Sequence, residues 1–147
     1  MNPTKILDGR SPLNDMFTEL RKIQKSGDTV HEMLTNHLSL RLVAIPEKAA
    51  VNETLRALVE LKKYYEPNAV YINKIIAEDS IQGNKFLEGK RKEQLERIAE
   101  LKAKVPDKKI FSVDLKMNEP INIDGLKRIS KDIYKNMTLE EVLNPKP

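Results

Sequence analysis

Three places in the chain carry residue types and spacings that could do chemistry. The first is Asn73-Lys74, which closes the apolar run Ala69-Val70-Tyr71-Ile72. An asparagine followed by a lysine at a strand end is an arrangement by which nucleotide-binding proteins read a base. The asparagine amide both donates and accepts, which suits the edge of adenine. The guanine-reading version adds an aspartate two residues after the lysine. That position is Ile76 here, which argues against guanine. The alternative role for Asn73 is local, satisfying backbone groups at a turn. The second place is Gly83 to Arg91, which approximates a phosphate-binding loop and fails. It has five residues between its glycines instead of four, and Arg91 stands where a magnesium-binding hydroxyl is needed. Gly89 also falls inside a helical pattern, and no other glycine pair has the spacing. The third place holds His31 and His37, six apart with no acidic or cysteine cluster beside them, a poor metal site. Ser80 and Ser112 have no nearby histidine, so no nucleophile pair is evident.

The elements that must position these residues follow from hydrophobic periodicity. From Pro12, the residues Leu13, Met16, Phe17, Leu20 and Ile23 recur at helical spacing, and Val30, Met33 and Leu34 resume the stripe. Ser26-Gly27-Asp28 is a weak point between them, so this region reads as one interrupted helix or two short ones. Leu40 to Ile45 is a buried strand ended by Pro46, which suits the first turn of a helix running to about Tyr65. Glu66-Pro67-Asn68 is a turn. Ala69 to Ile76 is the second strand. Asn84 caps a helix to about Lys104, with Leu87, Gln94, Ile98 and Leu101 inward. Ile110 to Leu115 is the third strand, and Ile123 to Tyr134 a helix. Leu139 to Leu143 is a last helical turn. Strands alternating with helices imply parallel pairing and right-handed crossovers. Binding sites in such sheets lie beyond the carboxyl ends of the strands. Ile72 and Val43 are expected to be buried.

Composition narrows the class. The chain of 147 residues suffices for one modest core, and 33% charged residues imply a heavily charged surface. The 26 basic and 22 acidic side chains are interleaved, which favours paired charges on solvated helices over a nucleic-acid patch. Aromatic residues are only 5%, which weakens a base-stacking platform. There is no bilayer-length apolar run and no signal-peptide core near the N-terminus. Cysteine is absent, which excludes disulfides and thiolate metal sites. A cytoplasmic location is expected.

Four blocks, in order, resemble the C-terminal part of the arsenical-pump ATPase family, which includes the ATPase that targets tail-anchored membrane proteins. Leu42 to Arg56 looks like the family's strand, Pro-Glu, and Glu-Thr-x-Arg helix. Val70 to Lys74 resembles its strand ending in asparagine. Phe86 to Leu95, with Lys90-Arg91 and Gln94, is similar to its Arg-rich helix ending in a glutamine. Ile123 to Ile129 resembles its last Val-x-Gly-Leu helix start. The resemblance covers roughly residues 14 to 135.

The resemblance implies an α/β fold: a three-layer, partial phosphate-loop-NTPase-like parallel sheet of about three strands flanked by helices. It divides the chain into a flexible segment 1–11, a helical segment 12–38 from the end of a helical subdomain, an ATPase-like half over 39–143, and a tail 144–147. It makes Asn73 the adenine contact, with Lys74, Asp114 and Leu115 completing the base side. The family's third strand ends in Val-Pro-Leu, opening a loop over the adenine; here the residues are Val113-Asp114-Leu115. The Cys-x-x-Cys zinc pair frequent in the family is replaced by about Asn84 and Leu87, so no zinc is expected. ATP or ADP is the implied ligand, bound weakly or only with a partner. Magnesium is implied only with a second half carrying the phosphate loop. No residue is assigned a catalytic role, and the chain by itself is expected not to hydrolyse ATP. The open edge of such a half-sheet is expected to be covered by a second copy or by a chain bearing the phosphate loop, and the resemblance adds a membrane pump or a hydrophobic client, with no specific nucleic acid. The competing reading is an interaction module that kept this fold without its chemistry.

Overall fold

The computed structural model describes residues 12–146, which divide after Leu38 into two units. The segment 1–11, expected to be flexible, lies outside the described residues. In the first unit, α1 runs without interruption from Pro12 to Asn36. The weak point at Ser26-Gly27-Asp28 does not break it. A single interior glycine costs a helix only about 1 kcal/mol, which its neighbours can offset. Thr18 and Thr29 turn their hydroxyls back onto the carbonyls of Asn14 and Lys25, four residues earlier, so both side chains are accommodated within the helix.

The second unit is built on three parallel strands, β1 (Arg41–Ala44), β2 (Ala69–Ile75) and β3 (Lys109–Asp114), in the order β1-β2-β3. The registers Val43 to Tyr71 and Tyr71 to Phe111 align the three. Helix α2 (Lys48–Leu61) crosses from β1 to β2, and α3 (Lys85–Lys104) from β2 to β3. Beyond them come α4 (Asn122–Tyr134) and the short α5 (Leu139–Leu143). This is the expected α/β arrangement of about three parallel strands with helices on the faces. Helix α2 begins two residues after Pro46, because Pro46-Glu47 forms a tight turn in which the Glu47 N–H donates to the Ile45 carbonyl at 2.8 Å. Asn84 caps α3 as expected, its Oδ1 accepting from the N–H groups of Phe86 and Leu87. Gly89 therefore sits well inside a helix, where a phosphate loop cannot be.

Each sheet face has its own core. One joins Ala44, Val70, Ile72 and Ile75 to Val51 and Leu58 of α2 and to Ile98 and Leu101 of α3. The other joins Ala69, Tyr71, Phe111 and Val113 to Ile129 and Ile133 of α4. Ile72 is fully buried, as expected, but Val43 is 69% exposed. The correction has a simple cause. In β1, Leu42 and Ala44 face α2, so Val43 takes the opposite face. Helix α4 covers that face over β2 and β3 and not over β1.

At the amino ends of the strands, Arg41 ties β1 to the C-terminal segment. Its guanidinium donates to the Tyr71 hydroxyl at 2.6 Å and to the Val142 carbonyl at the end of α5. The Tyr71 hydroxyl also lies 3.0 Å from that of Tyr134, and the Tyr71 ring stacks on Phe111. Burial first, and the Tyr134 hydrogen bond second, raise the Tyr71 pKa to about 12, against the opposing pull of Arg41. A raised folded pKa means the stabilising contribution is present below the unfolded value of about 10 and is lost as pH rises toward 12. Melting temperature should therefore fall between pH 10 and pH 12. Tyr71→Phe should flatten that part of the profile, and an equal fall in the variant would refute the assignment.

Candidate functional site

The four candidate residues come together at the carboxyl end of the β2–β3 pair. Pairing runs in step from Ala69–Lys109 to Ile72–Ser112, then resumes only at Ile75–Asp114. Three steps on β2 thus match two on β3. The additional residue forms a bulge at Asn73-Lys74, a device that re-aims side chains at the rim of a sheet. Lys74 carries the bulge at φ 62°, the left-handed region that residues other than glycine enter at a cost. The Asn73 side chain folds onto it, Oδ1 accepting the Lys74 N–H at 2.8 Å. Beside the bulge, the Leu115 N–H donates to the Ile75 carbonyl at 2.7 Å. Asp114 and Leu115 therefore stand next to Asn73-Lys74. Lys74, Asp114 and Leu115 are exposed, and Asn73 is half-buried.

Both roles foreseen for Asn73 bear on this geometry. It satisfies a backbone group at a turn, as the local alternative required. That bond uses only part of the carbonyl oxygen and leaves the amide NH₂ without a side-chain or backbone acceptor among the described hydrogen bonds.

Two residues of α3 were legible as part of a motif but not as parts of a site. Gln94 accepts the Ile76 N–H on Oε1 at 2.8 Å and donates from Nε2 to the Lys74 carbonyl at 3.3 Å. Arg91 donates to the Ile76 carbonyl and lies 3.4 Å from the Glu78 carboxylate. The two are three residues apart on one helix face. Between them they hold both backbone groups of Ile76 and the carbonyl of Lys74, fixing the strand exit that follows Asn73. The signal available in the sequence was their spacing within the Arg-rich block.

From this end runs the loop from Leu115 to Ile121, seven residues between β3 and α4. Met117 at its crest is fully exposed. Lys116 anchors its start through a 2.6 Å ion pair with Asp132 of α4, which holds the lysine above its usual pKa. Gly125 anchors its end. A Cβ there would lie 2.9 Å from the Pro120 carbonyl carbon, so the loop returns to α4 too closely for any side chain. Under the loop is a hollow of about 270 Å³ lined by Met117, Pro120, Arg128 and Ile129 among others. A second cleft of about 310 Å³ opens between the α2 start and α3, lined by Pro46, Lys48, Ile76, Gln94 and Arg97.

Asn84 and Leu87, where the zinc cysteines would stand, are a helix cap and a half-buried apolar residue. Among the described residues no group of three His, Cys, Asp or Glu side chains could hold a metal ion. No helix among them is long and apolar enough to cross a membrane.

Comparison with known proteins agrees with the family resemblance. The family model described as anion-transporting ATPase matches residues 1–135. A protein of Chlorobaculum tepidum named a putative arsenical pump-driving ATPase is 28% identical over 129 residues, 84% of this chain and 31% of that protein. One of the same name from Prosthecochloris vibrioformis is 25% identical over 142 residues, 92% of this chain and 34% of that protein. The chain thus spans about a third of the length of the curated relatives it matches.

Proposed function

The chain belongs to the anion-transporting ATPase family, and from that premise we propose that residues 39–143 form the base-recognising side of an ATP site. The bulge at Asn73-Lys74 is the observation that carries this reading. A strained non-glycine residue held by side chains at both its N–H and its carbonyl, with Ile76 held in the same way two residues on, is not needed to close a three-stranded sheet. Such strain concentrates where a side chain must be presented in one orientation. With Oδ1 engaged by the Lys74 N–H, Asn73 offers its NH₂ to an acceptor on the ring edge of a purine. Leu115 and the β3–α4 loop lie beside it to cover the base.

Nothing in the sequence supplies a phosphate loop, so the phosphate side falls to a second chain or segment. Bound there, magnesium would offset the charge of the β- and γ-phosphates. The residues present here would bind and orient the base and exclude water from it. Coupling to transport of an oxyanion, to a membrane pump or to a hydrophobic client is the corresponding proposal for the assembled protein.

One observation favours a second reading, an interaction module without nucleotide. The carboxylate of Asp114 stands where the family resemblance places a proline, and it sets negative charge beside a site for a polyanion.

Calorimetric titration with ATP and ADP separates the readings. The adenine reading expects binding of both that weakens by roughly tenfold in Asn73→Ala, the loss of one charge-free amide pairing of about 1 to 2 kcal/mol. Binding unchanged by that substitution would move the base elsewhere. No binding, with or without a chain carrying the phosphate loop, would favour the interaction module.

A further inference from the structure

A groove of about 550 Å³, larger than either hollow at the base site, lies between β3 and the end of α4. Phe111, Ile133, Tyr134 and Met137 give it an apolar lining. A cleft of about 310 Å³ continues it past Ser112 and Ile133 to Asp114, so the two follow β3 along its length. This edge of β3 is open, because only β2 pairs with the strand. The Leu115 N–H donates to the Ile75 carbonyl, so Leu115, Val113, Phe111 and Lys109 turn their backbone groups to β2. The alternate residues Ile110, Ser112 and Asp114 turn theirs outward. None of those N–H and C=O groups has a hydrogen-bond partner among the described residues.

The walls are basic. Lys109, Lys131 and Lys135 line them, and none has an ion-pair partner among the described residues. Two of the lining carboxylates are engaged, Asp132 by Lys116 at 2.6 Å and Glu141 by the Thr138 N–H and hydroxyl. Only Asp114 is left to offset the three lysines. Lys135 also closes α4 at φ 50°, a conformation that glycine adopts without strain and lysine does not. We propose that the groove takes an extended acidic segment of a partner protein, added to β3 as a further strand. Ile110, Ser112 and Asp114 pair with its backbone. Lys131 and Lys135 are four apart on α4, about 6 Å along the helix, and alternate residues of a strand are about 6.6 Å apart. The fitting segment is therefore acidic-x-acidic, with both carboxylates facing α4. A second copy of β3 is a poor occupant, because it would set these lysines against their own counterparts. The groove lies on the side of β3 away from β2 and its bulge, so this reading holds whether or not nucleotide binds.

The test titrates the isotope-labelled full-length chain with the synthetic peptide Thr-Glu-Val-Glu-Val-Thr, capped at both ends, and follows backbone amides by NMR. Saturable shifts of the Ile110, Ser112 and Asp114 amides are expected. The peptide Thr-Lys-Val-Lys-Val-Thr should leave them in place. Methylating the backbone nitrogens of both Glu residues, or of both Val residues, separates strand addition from charge attraction alone. On an added strand only alternate N–H groups face β3, so one methylated peptide should lose binding and the other keep it. Lys131→Glu combined with Lys135→Glu should lower affinity for the acidic peptide by roughly tenfold or more. No shift of those amides with the acidic peptide would overturn the proposal. So would equal binding of the lysine peptide, or the same effect from both methylated sets. An unchanged affinity in the folded double variant would overturn it as well. The peptide arms use the parent chain, so they decide the matter even where the double variant fails to fold.

Discussion

Ile72→Asp unfolds residues 39–146. Ile72 is fully buried in the central strand, packed between Ala44, Val51 and the α3 residues Ile98 and Leu101. No basic side chain belongs to that cluster, so the carboxylate is left without a partner. An unpaired buried charge costs several kcal/mol, and small domains are held by only about 5 to 15 kcal/mol. The unit has one sheet and no disulfide to fall back on. The expected readout is loss of the cooperative thermal transition and of the far-ultraviolet signal above that of α1. A variant melting within a few degrees of the parent would mean that Ile72 is not in the core.

The next largest effect is expected from the two side chains of α3 that hold the β2 exit. Gln94→Leu removes the acceptor for the Ile76 N–H and the donor to the Lys74 carbonyl. Arg91→Ala removes the donor to the Ile76 carbonyl. Each leaves one part-buried backbone group of Ile76 unpaired, at about 1 to 3 kcal/mol apiece. The bulge should relax, Lys74 should leave its left-handed conformation, and Asn73 should lose its fixed aim. ATP affinity should then fall by roughly tenfold to a hundredfold in the double variant, on the scale of about 1.4 kcal/mol per decade. Neither side chain is assigned a contact with nucleotide, so the diagnostic readout is discrimination. A positioning role predicts that preference for ATP over GTP narrows along with affinity. Reduced affinity with unchanged preference would restrict Arg91 and Gln94 to holding the fold.

The scaffold was legible because its signals are local. The run Ala69-Val70-Tyr71-Ile72, following the turn at Glu66-Pro67-Asn68, has the composition of a buried strand, and Asn84 is a residue type favoured at helix starts. The first helix was harder. Ser26-Gly27-Asp28 has the composition of a break, yet glycine weakens a helix without ending it. Val43 is exposed despite lying in an apolar run, because such a run does not reveal how far a distant helix reaches across a sheet. In β1 only the α2-facing residues are covered. At the site, the sequence placed Asn73, Lys74, Asp114 and Leu115 at strand ends, and the fold brings those ends together. The bulge could not be read. It depends on a register offset between β2 and β3 and on Gln94, 20 residues beyond Lys74 in the chain.

The proposed docking of a purine base against the Asn73-Lys74 bulge, beside the β3–α4 loop, is open to direct test. Heteronuclear NMR of the labelled full-length chain, titrated with ADP, tests it at the atoms concerned. Docking there should give saturable shifts of the Asn73 side-chain NH₂ and of the Lys74 and Leu115 amides, with the α2 interior unmoved. Saturable shifts confined to other surfaces, with those three groups silent, would contradict it.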